Sequence, residues 1–271
     1  MTSPNNDLPL AVLIDADNVP YASVKEMLEE ISTHGTPTIK RIYGDWTKPT
    51  LSGWKNVLLE NAITPIQQYS YTSGKNATDS ALIIDAMDIL YSNKVGGFCI
   101  VSSDSDFTRL ATRLREAGMK VIGIGEKKTP SPFIKACDKF VYIEILKVAQ
   151  KETRESNNRH KDREATGAFQ PLDNAVIRLL SDSIDDLADE NGWTFLGELG
   201  NLLLKKSPDF DPRNYGFPKM LPLIRSTNLF EIDERETGRS HVKHIYVRKK
   251  KNILKPAPKA TRPKPTKKSK K

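Results

Sequence analysis

The chain has 271 residues, 38% hydrophobic and 28% charged, which suits two modest domains or one large one with a real core. Its net charge is +8, but residues 248–271 hold 12 Lys/Arg and no acid, which leaves residues 1–247 at −4. A mildly acidic body with a basic tail suits a polyanion such as RNA, DNA or an acidic membrane surface; it equally suits a tail that only solubilises. The two cysteines, Cys99 and Cys137, form no Cys-x-x-Cys spacing, so neither a disulfide framework nor a zinc site is expected. No apolar run approaches the roughly 20 residues of a membrane span. The opening MTSPNNDLPL has no basic start followed by an apolar run. A cytoplasmic protein with reduced thiols and no membrane partner is expected.

In chain order, strands are expected at Leu10–Ile14, Thr38–Tyr43, Pro65–Tyr69, Phe98–Val101, Lys120–Ile124 and Phe140–Ile143, each rich in Val, Ile, Phe or Tyr. Helical spacing of apolar residues marks Ser23–Ser32, Leu51–Asn61, Asp79–Tyr91 and Phe107–Ala117, with Gly118 as a C-cap. Alternating strands and helices predict an α/β fold, a mostly parallel sheet covered on both faces. Ligands of such sheets bind at the carboxyl ends of strands. Residues 151–164, KETRESNNRHKDRE, contain no apolar residue and read as linker. Helical patterns then run over Asp173–Asn191, Phe195–Lys205 and Phe217–Thr227, followed by strands Leu229–Asp233 and Val242–Val247. Helices followed by a hairpin suggest a small winged helix-turn-helix. The Lys/Pro-rich tail from Lys249 is expected to be disordered. The domain limits are therefore set at 8–148, 149–169 (linker), 170–248 and 249–271 (tail).

The chemistry concentrates in aspartates. Strand one ends in Asp15-Ala16-Asp17-Asn18, and strand four in Ser102-Ser103-Asp104-Ser105-Asp106. Charge after a buried strand is costly unless offset. Helix capping by Asp17 or Asn18, and by Ser105 or Asp106, accounts for one residue at each place but not for two aspartates at both. Asp79 opens a very apolar helix, where it serves equally well as an N-cap; Asp85, set among apolar neighbours, needs a polar partner. If strands one and four adjoin, Asp15, Asp79, Asp104 and Asp106 converge. Such carboxylates repel unless cations offset them, and hard oxygen ligands select Mg²⁺ or Mn²⁺. Lys75 is a candidate for a phosphate contact or a solvated loop lysine. Trp46 suits base stacking or loop packing, and the neighbouring Asp45 is a possible fifth acid.

The series Asp15-Ala-Asp17-Asn18, Lys75…Asp79…Asp85 and Ser102-Ser-Asp104-Ser-Asp106-Phe107 resembles the NYN domain, a PIN-like nuclease branch, and within it the LabA-like group. The resemblance covers about residues 8–148. It implies a Rossmann-like sheet whose acids bind Mg²⁺ or Mn²⁺ for endoribonuclease chemistry. Asp15, Asp79, Asp104 and Asp106 would be the catalytic and metal-binding set; Asp17, Asn18, Asp85 and Ser102 would support them. Ser103 stands where that family usually has Gly. The stretch from Trp193 through Leu196-Gly197-Glu198-Leu199 to Asn214-Tyr215-Gly216-Phe217 resembles a LOTUS (OST-HTH) domain. That implies binding of RNA, including G-rich structures, or of protein partners. Lys205, Lys206, Arg213 and Lys219 are its candidate phosphate contacts, against a plain solvated face.

Three other readings compete. Asp15-x-Asp17-x-Val19 fits the opening motif of a haloacid-dehalogenase-like phosphatase, but that reading gives no role to Asp79. A non-catalytic RNA-binding adaptor would keep the acids without using them. A dinucleotide-binding enzyme lacks Gly-x-Gly-x-x-Gly after strand one.

Overall fold

The computed structural model describes residues 8–69, 77–146, 172–236 and 243–250. Lys75, the linker expected at 149–169, most of the turn at 234–240 and the tail from Lys251 lie outside the described residues.

In the first unit the strands are β1 (Pro9–Asp15), β2 (Thr36–Gly44), β3 (Thr64–Gln67), β4 (Gly97–Val101), β5 (Lys120–Gly125) and β6 (Lys139–Tyr142). The helices are α1 (Val24–Ser32), α2 (Trp54–Glu60), α3 (Ala77–Tyr91), α4 (Thr108–Glu116) and α5 (Ser131–Ala136). All six strands pair in parallel, in the order β3-β2-β1-β4-β5-β6. Alternation along β1 explains the layers. Leu10, Val12 and Ile14 join one core with Val24, Met27 and Ile31 of α1 and Trp54 and Leu58 of α2. Ala11 and Leu13 join the other core with Leu82 and Ala86 of α3, Leu110 and Leu114 of α4 and Phe133 of α5. Both faces of the sheet are therefore covered, as continuous apolar strands require.

The chain leaves β1 toward β2 and β3 on one side and reaches β4, β5 and β6 on the other. The β1–β4 pair is thus the switch point, where the outgoing loops diverge and open a crevice at the carboxyl ends. Gly118 ends α4 with φ +80°, its amide 2.9 Å from the Arg115 carbonyl. Helix α5 is absent from the expected elements: SPFIKA is one and a half turns behind Pro130, too short to show a helical period.

The second unit contains α6 (Asn174–Leu187), α7 (Leu196–Lys206), a 3-10 turn (Pro212–Tyr215) and α8 (Met220–Thr227). Strands β7 (Thr194–Phe195), β8 (Phe230–Glu236) and β9 (Lys243–Lys249) form an antiparallel sheet in the order β7-β9-β8. Asp173 caps α6, accepting from the amides of Ala175 and Val176 at 3.0 Å. Leu180, Ile184, Leu199, Leu203, Leu223, Ile224 and Val247 build its core. Strand β7 and the 3-10 turn are likewise invisible in sequence, because two and four residues carry no period.

The units touch along β6. The Phe140 amide donates to the Pro208 carbonyl at 2.8 Å, and the Tyr142 hydroxyl donates to Asp209 Oδ2 at 2.8 Å. Arg213 grips Glu30 of α1 through two bonds of 2.8 and 3.0 Å and also pairs with Asp211 at 2.7 Å. Among the described residues, no helix is long and apolar enough to cross a membrane.

Candidate metal centre

Strand β1 delivers Asp15 to the switch point with only 1% of its surface exposed. Its Oδ2 accepts from Asn18 Nδ2 at 2.6 Å and from Ser102 Oγ at 3.0 Å; its Oδ1 accepts from the Asp17 amide at 3.1 Å. Burial pushes this carboxyl above its ordinary value, against the three hydrogen bonds that favour the charge. Ser102, fully buried, also accepts the Asp104 amide at 3.1 Å. One hydroxyl therefore ties the end of β1 to the turn after β4.

That turn carries the next two acids. Asp104 Oδ1 accepts the Asp106 amide at 2.9 Å and opens the 3-10 turn that leads into α4. Asp104 is the capping residue here, in place of the expected Ser105 or Asp106. Asp79 lies in the first turn of α3, inside the helix rather than capping it. Carboxylate oxygens of Asp79, Asp104 and Asp106 all lie within 4.8 Å of one another. Burial first, then the charges of Asp15, Asp104, Asp106 and Asp17, push the Asp79 carboxyl up to about 6. Asp17 is half-exposed, 4.0 Å from Lys48 Nζ.

Asp85 sits elsewhere. It takes a bond from Arg41 and one from the Tyr43 hydroxyl, fastening α3 to β2 below the acids. Burial and that bond to Asp85 raise the Tyr43 hydroxyl far above its ordinary value. Asp45 turns inward, accepting from Thr47 Oγ1 at 2.6 Å and Gln67 Nε2 at 3.1 Å. Trp46 is half-buried against the α1–α2 core, its indole donating to the Ile66 carbonyl at 3.0 Å.

Two further residues shape the acidic turn. Ser103, at the position of the usual Gly, accepts the Glu126 amide at 2.8 Å and joins the ends of β4 and β5. Gly125 admits this approach, since a Cβ there would stand 2.6 Å from the Ser102 carbonyl. A glycine ending a strand beside the acidic turn was the available signal.

The candidate contacts of the second unit are scattered. Lys205 and Lys219 are exposed. Lys206 donates to Asp186 at 2.6 Å and to Ser183 at 3.1 Å. Arg213 pairs with Glu30 and Asp211 at the contact between units.

Residues 9–144 match the family model of the NYN domain, and residues 169–242 match that of the OST-HTH/LOTUS domain. The chain belongs to the NYN domain family and carries a C-terminal LOTUS domain. NYN domains belong to a nuclease superfamily, and LOTUS domains bind RNA. Two solved structures are similar to it. One is an uncharacterized protein of Nitrosomonas europaea, 32% identical, covering 34% of this chain and 87% of that one with a TM-score of 0.29. The other is a protein of unknown function from Vibrio parahaemolyticus, 20% identical, covering 52% and 96%, with a TM-score of 0.43. No curated protein matches the chain.

Proposed function

We propose that this chain is a divalent-metal-dependent endoribonuclease whose LOTUS domain and basic tail hold the RNA. The observation that carries the reading is the convergence of Asp79, Asp104 and Asp106 within 4.8 Å, where burial and the neighbouring acids push the Asp79 carboxyl up to about 6. Three carboxylates held at that spacing fit a hard cation, Mg²⁺ or Mn²⁺. Asp15 completes the metal-binding set. Its Oδ1 accepts a single described bond and so keeps a lone pair, while Asn18 and Ser102 fix its direction. A cation bound there would polarise a phosphoryl oxygen and lower the pKa of a water nucleophile.

The chain's own residues do the rest. Ser102 and Ser103 hold the turn that presents Asp104 and Asp106. Asp85 holds the helix that presents Asp79. Lys48, at the rim, is placed to meet a phosphate, as is Lys75 in sequence. Lys205 and Lys219 remain the proposed phosphate contacts of the LOTUS domain, which also offers a surface for protein partners. Both cysteines are buried and unpaired, which suits the reduced thiols of a cytoplasmic protein. The phosphatase reading gives no role to Asp79, which stands beside Asp104 and Asp106.

The test is cleavage of end-labelled single-stranded RNA and matched DNA with Mn²⁺, Mg²⁺ or EDTA, by the native chain and Asp104→Asn. Cutting of RNA by the native chain alone, stopped by EDTA, sustains the reading. If both proteins bind RNA and neither cuts with any metal, the adaptor reading replaces it.

A further inference from the structure

The outer face of the LOTUS sheet carries a cluster that neither the core nor the metal centre uses. Val247 of β9 points into the core, so Tyr246 and Arg248 point out. Pairing places Phe195 beside Tyr246, Arg235 beside His244 and Glu231 beside Arg248. Ring centroids of Phe195 and His244 lie 5.1 Å apart, and those of Phe195 and Tyr246 lie 5.7 Å apart. The Arg235 guanidinium sits 4.0 Å above the Tyr246 ring and 5.6 Å from Trp193, while Arg248 sits 4.4 Å above Trp193. Trp193, Phe195, His244 and Tyr246 belong to no buried cluster of the domain.

The cluster is firmly built. Two hydrogen bonds with Asp189, of 2.8 and 2.9 Å, fix the Trp193 backbone. Phe195 lies across Gly197, where a Cβ would meet its ring at 2.7 Å. Asp233 and Glu231 hold Arg235 and Arg248 over the rings through bonds of 2.8 and 2.7 Å.

We infer that this face is a stacking platform for unpaired bases of single-stranded nucleic acid, a second binding surface apart from the acidic crevice. Flat rings and guanidinium planes left half-open on one sheet face accept any base by its π-surface. The acids beside the two arginines make the face nearly neutral, so it favours bases over phosphates. In sequence, β9 is followed by residues 251–271, whose nine Lys/Arg and no acid would attract phosphates. The inference rests on the nucleic-acid part of the reading above and not on cleavage.

The test is fluorescence anisotropy of the full chain in EDTA, with a labelled dT dodecamer and an abasic phosphodiester of equal length. The native chain should prefer the base-bearing strand by about tenfold or more. Trp193→Ala and Tyr246→Ala should each weaken dT binding about tenfold while binding the abasic strand as the native chain does. Equal native affinity for the two strands, or unchanged dT binding by variants with native circular dichroism and Tm, overturns the proposal. Should both variants unfold, photocrosslinking of the unaltered chain to an iodouracil-bearing strand decides. Adducts on Trp193, Phe195, His244 or Tyr246 are expected, and adducts confined to other residues overturn it. EDTA makes the assay blind to cleavage, so the binding result holds whether or not the metal centre is active.

Discussion

Two acid sites in one domain have been built in opposite ways. At the β6 edge, Glu30 is 9% exposed and held by the cations Arg213 at 2.8 Å and Lys139 at 3.8 Å, with the His34 imidazole at 3.3 Å. Burial alone would push its carboxyl up. The bonds from His34 and Arg213, with the charges of Arg213 and Lys139, outweigh burial and hold it well below the ordinary value of 4.5. At the β1–β4 switch the acids face one another, and Asp79 moves the other way, to about 6. A compensated acid serves the fold. Acids crowded against one another cost the fold something and are the kind of site where function resides.

The largest expected effect breaks the switch site chemically. Asp104→Asn should lower metal-dependent cleavage by more than about a hundredfold, beyond what losing a residue that merely orients a ligand costs. Steady-state cleavage rates with saturating Mn²⁺ read this. Next is the compensated site. Arg213→Ala leaves Glu30 short of its main partner and should cost about 2–3 kcal/mol. That is below the roughly 3–5 kcal/mol of a sealed pair because Arg213 is 28% exposed. The loss depends on pH. Glu30 has a depressed value, so its contribution is complete above 4.5 and fades as pH falls below that. Denaturation midpoints of native chain and variant should therefore converge in acid; a constant gap would break the assignment.

Ser102→Ala removes the hydroxyl that joins Asp15 to the Asp104 amide, and should weaken metal affinity about tenfold, measurable by titration calorimetry. The smallest effect has the opposite sign. With its value raised from 3.8 to about 6, metal-free Asp79 contributes stability in acid that is lost as pH rises through 6. Asp79→Asn should thus stabilise the metal-free chain by about 0.5 kcal/mol at pH 7, a figure discounted for its open side. A lower Tm for this variant would mean that the switch site is also compensated, and the contrast would collapse.

The sequence made much of the six strands legible, most plainly β1 and β4, whose buried residues form apolar runs. Each of the six was found within about two residues, and with them the carboxyl ends where Asp15 and Asp104 stand. Asp85 announced a need for a partner, but Arg41 and Tyr43 lie more than forty residues away across the sheet, beyond any local pattern. The Arg213 pairing was hidden for the same reason. A basic residue in a loop looks free until a glutamate from another domain closes on it. The outer aromatics of the LOTUS sheet were hidden by the brevity of β7, since two residues cannot show an alternation.

The bond from the Phe140 amide to Pro208 also bears on how this protein can be taken apart. β6 is the last strand of its sheet, and an uncovered last strand is a template on which other chains can pair. The LOTUS domain occupies that edge with a carbonyl and seals Glu30 beneath it. Cutting the chain after Leu146 would therefore release an NYN fragment with a bare edge and a Glu30 deprived of Arg213. Such a fragment is prone to self-association, and the NYN unit is better expressed with its companion attached.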